Sequence, residues 1–377
     1  MTTTAAMPSV AIPSVAIPSV AILGAGVAGA SLALRLARAG RRVTLIEGRA
    51  FPRVKVCGEY LSPASVRELH ELLPEDALRA LGAKRADMFA LELDERAIEW
   101  PTPTGAWSLS RATLDTELVM LARAAGAEVL QPESAQTVEL GDECVRIKLA
   151  SGREVLASVV VHADGSGRLD PAGPTPTVEG LVGLKCHYRP AQPVRGVRIR
   201  VAQGAYLGTI AIEHGGATLA LCTRSELVRE FAGDHDALVR SRWPAWDPTR
   251  RTSDWKACGV PRAWPITPAH PRSVRIGNAR AAVDPVGGEG MGLALWSAAR
   301  AAKALGAIDW TTTDALHRAQ RTLHAEYRAR LRTRLPACRW AAELAMSPRL
   351  VRAAWPVLRA TRPVTFGAWY RLMGKPA

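Results

Sequence analysis

No apolar run in this chain reaches the ~18–20 residues that a membrane span needs, so a transmembrane protein is not expected. There is no C-x-x-C pair. The six cysteines (Cys57, Cys144, Cys186, Cys222, Cys258 and Cys338) lie far apart. Their spacing argues against a disulfide scaffold and a zinc site, and no metal is expected. Acids are scarce: 35 Asp and Glu stand against 49 Lys and Arg, a formal charge of +14. The excess is localised, because 12 basic residues and only two acids, Glu326 and Glu343, lie between Arg321 and the C-terminus. A basic tail implies an anionic partner surface, either an anionic membrane or an acidic carrier protein. No nucleic-acid recognition motif accompanies it, so nucleic acid is not an expected partner. The N-terminal stretch lacks the basic region of a secretory leader, and prolines interrupt it. A cytoplasmic location is expected, with peripheral attachment to a membrane as an option.

What is present begins with a repeat. Pro-Ser-Val-Ala-Ile occurs three times from Pro8 to Ile22, and only the last copy runs into Gly24. The apolar run to Leu23 fits a buried parallel strand. Gly24, Gly26 and Gly29 follow in G-x-G-x-x-G spacing, then a helical pattern to Gly40, a second strand and Glu47 at its end. In that order Gly24 allows the tight turn, Gly26 lets backbone approach a pyrophosphate, and Gly29 packs helix on strand. Glu47 suits an adenosine ribose. The strand must enter the glycine turn directly, so residues 1–17 are expected to be dispensable.

Two further glycine-bearing bends recur downstream. "VVVHADGSG" leads a strand into Asp164 and Gly165, and "SVRIGNARAAVDPVGGEGMG" runs a strand into Gly277 and Asn278, then a glycine loop before a helix near Met291. Together with "KVCGEYLSP" and "SLSRATLDTELVMLARAAGAEV", these stretches resemble the flavoprotein family of p-hydroxybenzoate hydroxylase, the flavin-dependent halogenases and the geranylgeranyl reductases. "KVCGEYLSP" is most similar to the last two branches. The resemblance covers residues 18 to about 305.

The resemblance implies an α/β fold: a Rossmann-type FAD-binding domain, an inserted antiparallel-sheet substrate domain and a helical C-terminal tail. The expected segments are 18–90, 109–171 and 271–308 for FAD, 91–108 and 172–270 for the substrate lobe, and 309–377 for the basic helical region. It also implies that Gly24, Gly26, Gly29, Glu47 and Arg111 hold the ADP half of FAD or its linker. Asp164 and Gly165 would lie near the pyrophosphate and ribityl chain, with Gly277 and Asn278 at the ribityl chain. Most relatives carry Asp where Asn278 stands. Pro285, Gly287, Gly288, Gly290 and Met291 would lie against the isoalloxazine ring, where amides at a helix N-terminus stabilise negative charge.

Candidate acids or bases are Glu59, His187, Tyr206 and His214. Trp243, Trp246, Trp255 and Trp264 suggest aromatic walls for a lipophilic or aromatic small-molecule substrate, with core filling the better reading of any single one. No second nucleotide-binding strand–turn–helix is present, so NAD(P)H is expected as a transient reductant. The expected reaction is monooxygenation of an aromatic, polyketide-like or lipophilic substrate through a flavin hydroperoxide. Reduction of an isoprenoid-like double bond and an FAD-binding accessory role without turnover are the alternatives. The W-x-W-x-I-P signature of flavin halogenases is absent.

Overall fold

The structure is a computed structural model that describes residues 19–102, 105–165, 167–362, 367–368 and 370. The first two repeats, and the expectation that residues 1–17 are dispensable, lie outside them.

The strand Ser19–Leu23 occupies the centre of a five-stranded sheet. Its neighbours are Arg42–Ile46 on one side and Val159–His162 on the other, all parallel. Ser273–Arg275 and Glu128–Leu130 complete the edges. Both faces are covered, which is why the central strand reads as unbroken apolar residues. The helix Val27–Arg38 leaves the glycine turn and packs beneath the sheet with Arg111–Ala124 and Gly290–Gly306. The close fit is set at Gly29, where a Cβ would lie 1.8 Å from the Gly24 carbonyl oxygen. A small antiparallel sheet of Ala135–Leu140, Val145–Leu149 and Glu154–Ala157 covers the opposite face.

A second layer is a seven-stranded sheet. Its order is Lys256–Pro261, Thr177–Tyr188, Ala217–Arg224, Ala205–Ala211, Val197–Ala202, Met88–Leu93 and Arg96–Pro101. All pairs are antiparallel except Val197–Ala202 with Met88–Leu93. Period-two alternation gives this sheet two chemically distinct faces. Leu184, Cys186, Leu207, Leu219 and Leu221 point to one side, under the helices Ser225–Glu230 and His235–Arg242. Trp243, Trp246 and Trp255 pack there, with Tyr188 edge-on to Trp246 at 5.3 Å between centroids. These three tryptophans are therefore core of the lobe's far layer. They do not wall a substrate site, and Trp264 is exposed. The other face carries Lys185, His187 and Thr218 toward the Rossmann-type domain.

The C-terminal region is helical, as its spacing predicts. A helix spans Thr313–Ala345 and a second spans Pro348–Ala360. The end of the long helix covers Tyr206, Cys222 and Ile199, and the last helix lays Val351 and Trp355 against Leu93, Ile98 and Val201.

Candidate active site

The glycine turn opens into a cavity of about 290 Å3 lined by Gly24, Gly26, Glu47, Arg53, Lys55, Ser134 and Asp164, among others. Gly24 adopts φ +95°, and a Cβ there would lie 2.6 Å from the Asp164 Cα. Both motifs thus meet at one point. No side chain caps the helix that begins at Val27, so its first amides are left for a ligand. Glu47 is buried at the end of its strand. Its carboxylate accepts from the Ala25 amide at 2.9 Å and from Arg53 at 2.9 Å.

Cations gather here. A Cβ on Gly26 would meet Arg111 Nη2 at 3.3 Å and Lys55 Nζ at 4.0 Å. Arg111 opens its helix and is held bidentately by Asp115, at 2.7 Å for each bond. Burial, then the Arg111 and Arg53 guanidiniums, push the Lys55 ammonium below its ordinary pKa. Three cations face two carboxylates around a glycine cradle with free amides. That donor set fits a diphosphate. Arg53 and Lys55 were not singled out from the sequence. The only signal was their alternation in the run before Cys57.

Gly165 lies beside the same cluster, where a Cβ would be 3.7 Å from Lys55 Nζ. Gly277 takes φ +56° against Ala28 of the first helix, and its amide donates to Ser297 Oγ at 3.0 Å and Tyr327 at 3.1 Å. Asn278 is half-buried, and its carbonyl accepts from Thr175 at 3.0 Å. Pro285–Gly287 form one turn of 3-10 helix, Gly288 takes φ +59°, and Gly290 begins the long core helix. The Met291 side chain turns into the core.

The second half of the site is built around Glu59, which is fully buried at φ +56°. Its Oε1 accepts from the Arg111 amide at 2.6 Å and from Lys185 Nζ. Its Oε2 contacts His187 Nε2 at 2.9 Å and accepts from Thr218 Oγ1. Burial opposes the charge, but the His187 hydrogen bond and the Lys185 charge outweigh it and hold Glu59 down to about 2. The carboxylate therefore stays ionised and anchors the imidazole. His187 lines a larger cavity, of about 550 Å3, with His214, Arg189, Thr252, Ser110, Thr113 and Val54, among others. Glu213 closes that wall by accepting from the Ser110 amide at 3.0 Å and from Thr113 at 2.6 Å.

Three of the four candidate acids or bases thus converge. Tyr206 does not. It is buried beneath the long helix beside Cys222, among Ile199, Ala342 and Met346. Lys185 and Thr218 escaped sequence reading because nothing local marks them: they lie 126 and 159 residues from Glu59.

Residues 18–199 match the pyridine nucleotide-disulphide oxidoreductase family. Menaquinone reductase of Mycobacterium tuberculosis is 30% identical over 316 residues, covering 72% of each chain. Menaquinone reductase of Mycolicibacterium smegmatis is 27% identical over 379 residues, covering 90% of this chain and 87% of its own. Among solved structures, PqsL of Pseudomonas aeruginosa in complex with 2-aminobenzoylacetate is 21% identical, with a TM-score of 0.71, over 90% of this chain and 99% of its own. The flavin-dependent brominase Bmp2 is 19% identical with a TM-score of 0.72, over 94% and 93%.

Proposed function

Starting from the fact that the chain belongs to the flavin-dependent oxidoreductase superfamily and is an FAD-dependent enzyme, we propose that it uses NAD(P)H to reduce a lipophilic, quinone-like substrate. The observation that carries this reading is the Glu59-held imidazole of His187 on the wall of the larger cavity. FAD would supply the hydride-transfer chemistry when bound. Gly24, Gly26, Gly29, Glu47, Arg111, Asp164 and Gly165 would hold it, joined by Arg53 and Lys55 at the diphosphate. Gly277, Asn278 and the Pro285–Met291 loop would complete its binding surface.

His187 handles the proton. Its Nε2 is committed to Glu59, so Nδ1 is the nitrogen without a partner among the described residues. Glu59 fixes the ring's orientation, while Nδ1 gives the proton to the reduced substrate. In that scheme Glu59 is a positioning residue and His187 the catalytic acid. The names of the two mycobacterial relatives support reduction of a quinone-type substrate. Monooxygenation of an aromatic substrate is the second reading, supported by the likeness to PqsL bound to 2-aminobenzoylacetate.

One assay tests both. The FAD-loaded enzyme is given NAD(P)H and a menaquinone, with and without dioxygen. Reduction predicts anaerobic consumption of reductant and a product heavier by two hydrogens. Oxygenation predicts dependence on dioxygen and a product heavier by one oxygen. Failure to oxidise reductant anaerobically with any quinone would overturn the first reading.

A further inference from the structure

The long helix Thr313–Ala345 turns Arg318, Arg321, Arg328, Arg332 and Arg339 to solvent. At 3.6 residues per turn these five fall within an arc of roughly 80° along about 31 Å of helix. None of them has an ion pair or hydrogen bond to another described residue. The arginines on its inner side are engaged instead. Arg330 lies over the Trp296 ring at 4.7 Å, and Arg334 reaches Glu289 at 3.4 Å. The exposed stripe therefore carries charge that neither the fold nor the candidate site uses. The acids on this arc stand beyond its two ends, at Asp314 and at Glu343, which pairs with Arg224 at 3.5 Å.

Apolar side chains are left in water where the stripe ends. Trp340, next to Arg339, is 69% exposed. On the following helix, Val351 and Trp355 are buried against the sheet, yet Leu350 and Val357 are 58% and 62% exposed. The apolar arc of that helix is wider than the sheet covers. Arg349 and Arg359 are exposed on its polar side. A soluble polyanion would satisfy the arginines and leave these three large side chains wet. A bilayer surface satisfies both, because cationic heads meet anionic headgroups while Trp, Leu and Val enter the interface.

We infer that this face docks on the surface of an anionic phospholipid bilayer. The inference stands apart from which reaction the site performs, and it brings the enzyme to where a lipophilic substrate resides. The test is flotation of the FAD-loaded full chain with vesicles of phosphatidylcholine alone or with roughly one-third phosphatidylglycerol. The wild type is expected to float with the anionic vesicles only, and less so as salt rises. Arg321→Gln/Arg328→Gln/Arg332→Gln should weaken binding on the order of a hundredfold, at about fivefold for each cation. Trp340→Ser/Leu350→Ser/Val357→Ser should also lose the vesicles while keeping any retention on polyglutamate. All six positions are solvent-exposed, and flavin content with circular dichroism checks the fold. No flotation of the wild type, or flotation unchanged in the arginine variant, overturns the inference. So does polyglutamate binding as tight as vesicle binding with no response to the apolar variant, which would assign the face to an acidic protein.

Discussion

The two cavities share one wall and differ in almost everything else. The extended run Pro52–Lys55 separates them, sending Arg53 and Lys55 into the glycine-turn cavity and Pro52 and Val54 into the larger one. The first cavity is made of backbone and of three cations that outnumber their two carboxylates, supplied by short sequence neighbourhoods. The second is lined by side chains from several distant segments, and one of them, His187, is held from behind by a buried carboxylate. Holding a coenzyme calls for amides and positive charge in fixed places. Moving a proton calls for one titratable ring with a fixed orientation. Sorting the two tasks onto opposite faces of a four-residue strip means that each can be broken without the other.

The largest effect is expected at Gly29→Val. The first added carbon would meet the Gly24 carbonyl at 1.8 Å, and backbone cannot yield as a flexible side chain can. Overpacking that neighbours can absorb costs about 1–3 kcal/mol, and here nothing can absorb it, so the glycine turn itself must open. The variant should be isolated without bound flavin, read from its visible spectrum. Glu59→Gln should come next, because it leaves Lys185 buried without its carboxylate, a loss of about 3–5 kcal/mol. The acid limb carries a signature. Glu59 is held at about 2 against an ordinary 4.5, so its contribution is complete above pH 4.5 and is lost as the pH falls toward 2. Wild-type unfolding free energy should fall across that window more steeply than that of the variant.

His187→Gln sharpens the contrast. The ring is only 14% exposed but faces the larger cavity, and its loss should leave flavin content intact. Turnover should drop about 10²–10⁴-fold, and the pH–rate profile should lose the limb that the imidazole supplies. If this variant lost its flavin as Gly29→Val does, the two cavities would be one site and the division would fail. Lys55→Met acts on the other side of the strip. It removes one charge-assisted contact, worth about 1.5–3 kcal/mol, and should weaken FAD binding in a titration without altering the pH–rate profile.

The same contrast explains what could be read in advance. The glycine turn, its strand and its helix lie within a stretch where spacing alone dictates geometry, and the strand Ser19–Leu23 is where the third repeat puts it. Glu59 and His187 stood out as polar residues in suggestive places, but their pairing did not. It depends on the register that sets His187 opposite Thr218 in the seven-stranded sheet, and no local pattern encodes that register. The tryptophans show the same limit. Composition shows aromatics in the lobe, whereas the face they occupy is fixed by strand parity and by the helices Ser225–Glu230 and His235–Arg242.

The smallest effect is expected at Tyr206→Phe, and it separates a buried hydroxyl from a working one. The ring is fully packed under Ala342, Ala345 and Met346, and the polar group its hydroxyl meets is the Cys222 thiol, a weak partner without good hydrogen-bond geometry. Burial, with the Cys222 thiol and Asp284 nearby, raises its pKa well above the ordinary value, so the group stays neutral and protonated at any working pH. A buried hydroxyl with only a weak thiol partner recovers little of its desolvation cost, and the phenylalanine variant removes that cost without opening a cavity. Thermal stability should therefore be equal or slightly higher, within about 1 kcal/mol, and turnover should match the wild type. A loss of turnover with flavin retained would mean that this hydroxyl meets substrate, and the proton-handling site would have to be moved from His187 to the far end of the sheet.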